Sequence, residues 1–398
     1  MPIINYSGFP YIQTTPLLHD SNPCIEYRPD TAYWSVNEWK DGAYWYCEIK
    51  NGNAFDAYQI ASLIPAETLT AIREDNTTFL VVCNSHEAFH AIVDPLYTTL
   101  VLKEKIPPHK IMLISESADI HNVVKAVAHK YNVGYMHVTW IRIFERSSAL
   151  YDLMRKTLPG YKPLQTLSFK SYPKAFINFN RRWRPHRPAI VALLCAMNLL
   201  DRGYVSLAAS DDNITWDSVY WWIEQSCRSD TTLSALLARN KSTIMNLPPL
   251  YIDTTELMSN KAILDAKSDK LYEDTYFSVV TETNYYTSTG FEHGRFLSEK
   301  TFKPIVNAHP FIIASVPGTL QLLRDIGYKT FSPWIDERYD VEYDDTLRLK
   351  KIMYEIHRLV NLTPTELHAF LIGVRPIVKY NYEVLTTRSA NQFGAQTL

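Results

Sequence analysis

From Thr77 onward, short apolar runs rich in β-forming residues alternate with polar breaks and with stretches of helical spacing. Thr78-Phe79-Leu80-Val81-Val82-Cys83 predicts a buried strand. Asn84-Ser85-His86-Glu87 breaks it, and Lys110-Ile111-Met112-Leu113-Ile114 predicts the next. A helix is expected over 122–131, and Gly134-Tyr135-Met136-His137-Val138-Thr139-Trp140 predicts a third strand. Strand, polar loop, helix, strand is the pattern of parallel α/β units. Residues 158–172 carry two prolines and a glycine and are read as a linker. The rhythm then restarts with Ala175-Phe176-Ile177-Asn178-Phe179 as a strand, and Ile190, Leu193, Leu194 and Met197 share one helical face. Further strands are expected at 204–207, 276–281 and 310–314, with helices at 298–307 and 320–326. Gly327 is a helix-stop signal, and residues 345–382 read as mainly helical.

The first 75 residues look irregular. Aromatic stretches such as Tyr44-Trp45-Tyr46 suggest strands of an accessory sheet or a substrate rim. The fold class expected is therefore α/β, with two Rossmann-like domains facing a cleft and helices at the C-terminus. The boundaries expected are 1–165, 172–345 and 346–398, the last packing across the other two.

Composition sharpens this only in part. The chain of 398 residues has 40 Lys and Arg against 42 Asp and Glu, a formal net charge of -2, which excludes coating of nucleic acid by bulk positive charge. The longest apolar run, 189–200, is interrupted by Asn198 and falls short of the roughly 20 residues that span a bilayer. No membrane association is expected. The N-terminal residues lack the basic flank and apolar core of a signal peptide. Five widely spaced cysteines with no C-x-x-C pair fit reduced thiols and a cytoplasmic location, and argue against the common cysteine-paired zinc sites.

Three constellations could carry chemistry. Asn180-Arg181-Arg182-Trp183-Arg184-Pro185-His186-Arg187 joins a strand to a helix. In parallel α/β sheets such a loop lies at the carboxyl edge, where ligands bind. Guanidinium groups match phosphate oxygens bidentately, and a helix start adds partial positive charge. The bland reading is a solvated basic loop. The second is Thr281-Glu282-Thr283-Asn284 followed by Ser298-Glu299-Lys300-Thr301. Ser298 or Thr301 could cap the helix; Pro304 predicts that it starts near Thr301 or kinks. A carboxylate here could accept from ribose hydroxyls, and Lys300 could neutralise phosphate, although a Glu-Lys pair is also ordinary helix-end chemistry. The third is Asn84-Ser85-His86-Glu87-Ala88-Phe89-His90, which formally matches H-E-x-x-H. The preceding strand, Asp94-Pro95 and the lack of a third ligand argue against a zinc peptidase.

The segment 277–315 resembles the donor-binding domain of GT-B glycosyltransferases, and most of all the family-10 α-fucosyltransferases. In that family a strand ends in a Glu-Asn pair, and a Thr-Glu-Lys helix start and an apolar strand follow. The counterparts are Glu282 with Thr283-Asn284, then Ser298-Glu299-Lys300, then Phe311-Ile312-Ile313. Asn284 is displaced by one position, and 285–295 is an insert. The family's upstream arginine matches Arg187, with Arg184 as a rival. The resemblance spans 176–334. It implies a UDP- or GDP-linked nucleotide sugar as co-substrate, no separate cofactor or metal, and a donor site of Arg181, Arg184, Arg187, Glu282, Asn284, Ser298, Glu299, Lys300 and Thr301. The fucosyltransferase likeness alone carries inversion of configuration.

In a GT-B enzyme the N-terminal domain binds the acceptor, and inversion needs a general base there. His86, Glu87 and Asp119 are the candidates; a capped helix with a partly buried histidine is the bland alternative. The Arg-rich stretch also resembles one in glycosyltransferase-like proteins of large bacteriophages. That implies phage DNA carrying a hydroxymethylated pyrimidine as acceptor, with the base flipped out to react. Arg142, Arg146, Arg155, Lys156 and the Arg181 cluster are then candidates for phosphate contacts, or simply surface cations. A fucosyltransferase-type enzyme acting on glycan or protein is the first rival, and a non-catalytic nucleotide or nucleic-acid binding protein is the second.

Overall fold

The structure is a computed structural model; it describes residues 32–39, 42–49, 54–76, 78–84, 90–156, 171–181, 183–208, 214–227, 230–252, 266–287 and 294–392. The chain divides into two compact units between Ile143 and Phe144, with Gly294 and residues 388–392 grouping with the first. Each unit is built on its own mainly parallel sheet, so the fold is α/β.

The first unit has a five-stranded sheet in the order β1-β2-β3-β4-β5. Its strands are β1 (Ala32–Trp39), β2 (Gly42–Ile49), β3 (Thr78–Asn84), β4 (Ile111–Ser115) and β5 (His137–Trp140). β1 and β2 are antiparallel, and β2 to β5 are parallel. The aromatic N-terminal stretch is thus not an accessory sheet: β2 runs beside β3, from Ala43 opposite Thr78 to Glu48 opposite Cys83. Residues 1–31 of the stretch expected to be irregular lie outside the described residues; between β2 and β3 it is helical, with α1 (Ala54–Leu63) and α2 (Ala66–Glu74). Leu80, Val82, Ile111 and Leu113 are wholly buried and share one core with Ile72, Tyr97 and the inner face of α3 (Ile120–Tyr131). Continuous apolar runs are what strands covered on both faces require.

The second unit opens with α4 (Ile143–Lys156). The sequence placed this segment ahead of a linker, with the first domain. In the structure its side chains reach into the second unit: Tyr328 donates to Glu145 at 2.6 Å, and Tyr382 donates to Asp152 at 2.8 Å. The sheet order is β7-β6-β8-β9, all parallel, with β6 (Lys174–Asn178), β7 (Gly203–Val205), β8 (Thr275–Thr281) and β9 (Phe311–Ala314). The first strand lies between the second and the third. The strand order therefore reverses between β6 and β8, the arrangement that opens a crevice at the carboxyl ends of those two strands.

α5 (His186–Ala196) follows β6, and all eleven of its residues are buried. One apolar face was expected. The helix is covered on every side because it packs against α6 (Trp216–Cys227), α7 (Thr231–Met245) and α11 (Asp345–Val360). α8 (Ala266–Glu273) precedes β8. α9 (Glu299–Val306) is capped by Ser298, whose hydroxyl accepts from the Lys300 amide at 3.3 Å. Thr301 is not the cap, and Pro304 sits inside the helix. In so short a helix the missing Pro304 N–H removes one intrahelical bond. α10 (Thr319–Asp325) ends before Gly327, which adopts φ 89°. α12 (Pro364–Gln392) completes the chain described. Among the described residues no helix is long and apolar enough to cross a membrane.

Candidate functional site

The two sequence constellations of the second unit meet at its strand-order reversal. The Arg-rich loop leaves β6, and Glu282 follows β8 directly. Buried amides stitch these strand ends together. Asn178 donates to the Val279 carbonyl at 2.7 Å, Asn180 donates to Asn178 Oδ1 at 2.6 Å, and Thr281 donates to Asn180 Oδ1 at 2.7 Å. The sequence placed Asn178 in a strand, Asn180 in the Arg-rich loop and Thr281 at the end of the next strand, and marked none of them as tying those strand ends together. The signal was there: Asn178 and Asn180 are polar positions two apart at the end of an apolar run, so they share a face.

Glu282 is the hub. It is wholly buried. Oε1 accepts from the Ser298 amide at 3.1 Å and the Thr301 hydroxyl at 2.6 Å. Oε2 accepts from the Ser298 hydroxyl at 2.7 Å and the Thr283 amide at 3.0 Å. Its backbone carbonyl accepts from His186 Nε2 at 2.9 Å and from Arg187 Nη2 at 3.3 Å. Four donors already surround the carboxylate, so it is built into the protein and does not offer itself to a ribose hydroxyl.

Around this hub stand the other residues singled out in the sequence. Ser298 and Thr301 are buried against Glu282. Lys300 Nζ donates to Ser298 Oγ at 3.1 Å and to Glu299 Oε1 at 2.8 Å. Burial opposes ionisation of Glu299, but the Lys300 and Lys303 ammoniums outweigh it and hold its carboxyl below the usual range. Arg187 is buried, Arg184 is half-buried and Arg181 is exposed. Asn284 is buried and receives a hydrogen bond from Ser315 on its carbonyl at 3.1 Å. A single hydrogen-bonded chain thus runs from Arg187 through Glu282 and Ser298 to Lys300.

The helix starts contribute less than expected. The Thr301 amide bonds the Ser298 carbonyl at 3.1 Å, the Arg187 amide bonds the Arg184 carbonyl at 2.8 Å, and Pro188 has no N–H. Any anion here is therefore met chiefly by side chains. Behind the hub, the His186 ring stacks on Tyr285 with centroids 4.9 Å apart, and the Arg348 guanidinium lies 4.4 Å from the centroid of the same Tyr285 ring. Burial, then the nearby Arg187, drives the His186 pKa well below its ordinary value. The ring is neutral, and Nε2 carries the proton because it faces a carbonyl. Arg348 also donates to Asp345 Oδ1 at 2.7 Å and to the Glu342 and Tyr285 carbonyls. Nothing in the sequence marked it, because its partners are set by the fold.

In the first unit, His86 and Glu87 lie outside the described residues. Asp119 is half-buried at the start of α3 and does not cap that helix with its side chain. Its amide donates to Ser117 Oγ at 3.3 Å, and Ser117 Oγ lies 2.5 Å from His90 Nε2. His90 therefore faces a serine at the carboxyl end of β4. Among the phosphate-contact candidates, Arg142 and Arg146 are half-buried. Arg155 is not a surface cation: it is buried against Asp152.

The class that these features define is an α/β protein with a reversed-order parallel sheet and a polar hub at the reversal. No protein-family model and no curated protein matches the chain. Three solved structures to which it is similar are two Burkholderia enzymes and one S. aureus protein. The UDP-forming α,α-trehalose-phosphate synthase from Burkholderia xenovorans is 10% identical, with 92% of this chain and 90% of that chain covered and a TM-score of 0.36. The α,α-trehalose 6-phosphate synthase from Burkholderia multivorans is 11% identical, with 97% and 92% covered and a TM-score of 0.39. S. aureus TarM, in complex with fondaparinux, α-GlcNAc-glycerol and UDP, is 10% identical, with 93% and 66% covered and a TM-score of 0.33.

Proposed function

We propose that the second unit binds the diphosphate of a UDP- or GDP-linked sugar and that the chain is a glycosyltransferase of GT-B type. The observation that carries this reading is the hydrogen-bonded chain joining Arg187 to Lys300 through Glu282, at the crevice between β6 and β8. When the sugar leaves, negative charge develops on the diphosphate. Lys300 and the arginines of the 181–187 loop would stabilise that charge, as fixed cations do where water is excluded. No separate cofactor is needed for this role, and turnover is expected to persist in EDTA. Glu299, held ionised beside Lys300, is the carboxylate that could accept from ligand hydroxyls.

On the acceptor side the base is drawn from Asp119, His86 and Glu87. The acceptor favoured by the phage-like stretch is a hydroxymethylated pyrimidine in DNA, flipped out of the duplex; a glycan or protein hydroxyl is the alternative. The test is a panel of UDP- and GDP-sugars with hydroxymethylated DNA and simple sugar acceptors. Binding and hydrolysis of one sugar nucleotide support the reading, and the preferred acceptor separates its two branches. Binding without turnover on any acceptor would favour a non-catalytic nucleotide-binding protein. No binding of any sugar nucleotide would remove the proposal.

A further inference from the structure

We infer that Glu282 is a positioning residue: its carboxylate orders the start of α9 and so fixes where the Lys300 ammonium stands. The inference rests on the donor-site reading but assigns Glu282 a role other than ligand binding. The Ser298 hydroxyl has one proton and two acceptor lone pairs. Glu282 Oε2 takes that proton at 2.7 Å. The lone pairs then face Lys300, accepting from its amide at 3.3 Å and its ammonium at 3.1 Å. Without the carboxylate the hydroxyl could rotate and donate elsewhere, and Lys300 would lose an acceptor. Oε1 acts in parallel on the Ser298 amide and the Thr301 hydroxyl, holding the first turn of α9 against the end of β8.

The same residue fixes the opposite wall. Its carbonyl accepts from His186 and Arg187, the first two residues of α5. Neutral His186 donates through Nε2, so this contact needs no titration of the ring. One buried residue therefore sets two helix starts, each carrying a cation assigned to the ligand.

Glu282→Gln keeps the shape but must aim an amide NH2 at one of two backbone donors, Thr283 N–H or Ser298 N–H. Hydrogen exchange and nucleotide titration together test the inference, with UDP and GDP as probes. Wild type is expected to protect the Ser298 amide, and Glu282→Gln to lose about tenfold or more of that protection and of nucleotide affinity, as charge-assisted bonds are removed. Ser298→Ala should weaken affinity similarly, and the double variant should be no weaker than the worse single variant, because both act through one chain. Asp230→Ala, which removes the α7 cap and touches none of Arg187, Glu282, Ser298 and Lys300, serves as a control for general destabilisation and should leave affinity unchanged.

Unchanged protection and affinity in Glu282→Gln would overturn the inference. So would additive losses in the double variant. If wild type binds neither nucleotide, the donor-site reading fails, and the exchange measurement still decides whether Glu282 orders α9. Lost protection with unchanged nucleotide affinity would overturn the link to Lys300.

Discussion

Arg155 allows a calculation from geometry alone. Its guanidinium and the Asp152 carboxylate are both almost wholly buried, 3% and 1% exposed. Nε and Nη2 bond Asp152 Oδ1 at 2.9 and 2.8 Å, Nη1 donates to Asn307 Oδ1 at 2.9 Å, and Nη2 donates to the Val306 carbonyl at 2.7 Å. The arginine thus ties α4 to the C-terminal end of α9, where a cation also complements the helix dipole. Arg155→Met keeps most of the stem but removes every donor. Breaking a buried pair from one side costs about 3–5 kcal/mol. Asp152 keeps Lys156 at 2.6 Å and Tyr382 at 2.8 Å, which favours the lower end of about 3 kcal/mol. The assay is urea unfolding followed by tryptophan fluorescence, comparing midpoints at constant slope. A loss below about 1 kcal/mol would refute the reasoning, since that is the worth of an exposed pair. If the protein binds DNA, the same variant should leave the salt dependence of binding unchanged, because a buried guanidinium neutralises no phosphate.

Other variants probe the second unit in different ways. Gly203→Ala puts a methyl group within 2.5 Å of the Phe176 ring, which is wholly buried, and should destabilise by about 1–3 kcal/mol in the same urea assay. Asp230 caps α7 through the Leu233 amide at 3.0 Å and accepts from Tyr354 at 2.6 Å; Asp230→Ala should cost about 1–2 kcal/mol at pH 7. Although burial opposes it, these bonds and Lys350 hold the Asp230 carboxyl below its ordinary 3.8. Its contribution is therefore complete above that value and lost as pH falls through the lowered one, and the variant should show a shallower acid limb. His309, buried and bonded to Thr275 and Ser278, is pushed by burial from 6.5 to about 4. The unfolded chain takes up a proton there that the native one refuses, so stability should fall as pH drops from 6.5 towards 4, and His309→Gln should flatten that slope. Burial raises the thiol of Cys195 and pushes that of Cys227 up to about 11, so both should react with a thiol reagent only after unfolding.

Local pattern carried much of the second unit. The strands expected near 175–179, 276–281 and 310–314 appear as Lys174–Asn178, Thr275–Thr281 and Phe311–Ala314. Strand propensity and burial agree in such runs, so tertiary structure does not overrule them. The N-terminal third was read less well. There the helices Ala54–Leu63 and Ala66–Glu74 precede β3 where no order was expected, and the aromatic strands belong to the main sheet. Their alternation was visible, but the partner strand of β2 begins at Thr78, more than thirty residues later, and pairing over such distances leaves no periodic trace. At the site, the residue types were legible and their roles were not. Glu282 looked like a ligand group until its four donors were known, and Arg155 looked like a surface cation until its burial was.

What the sequence determined by itself is what neighbouring residues determine among themselves: strands from apolar β-rich runs, a helix start near 298–301 with the cap left open between Ser298 and Thr301, and a basic loop from the arginines around Trp183. Tertiary structure decided which of these meet. Glu282 lies 95 residues from Arg187 and 16 from Ser298, and Arg155 lies 152 from Asn307. A side chain's charge and hydrogen-bonding capacity are written in its chemistry, but whether it faces water, a ligand or the protein's own amides depends on which strands lie side by side. The order β7-β6-β8-β9 settled that here, by bringing the ends of β6 and β8 together over a buried carboxylate.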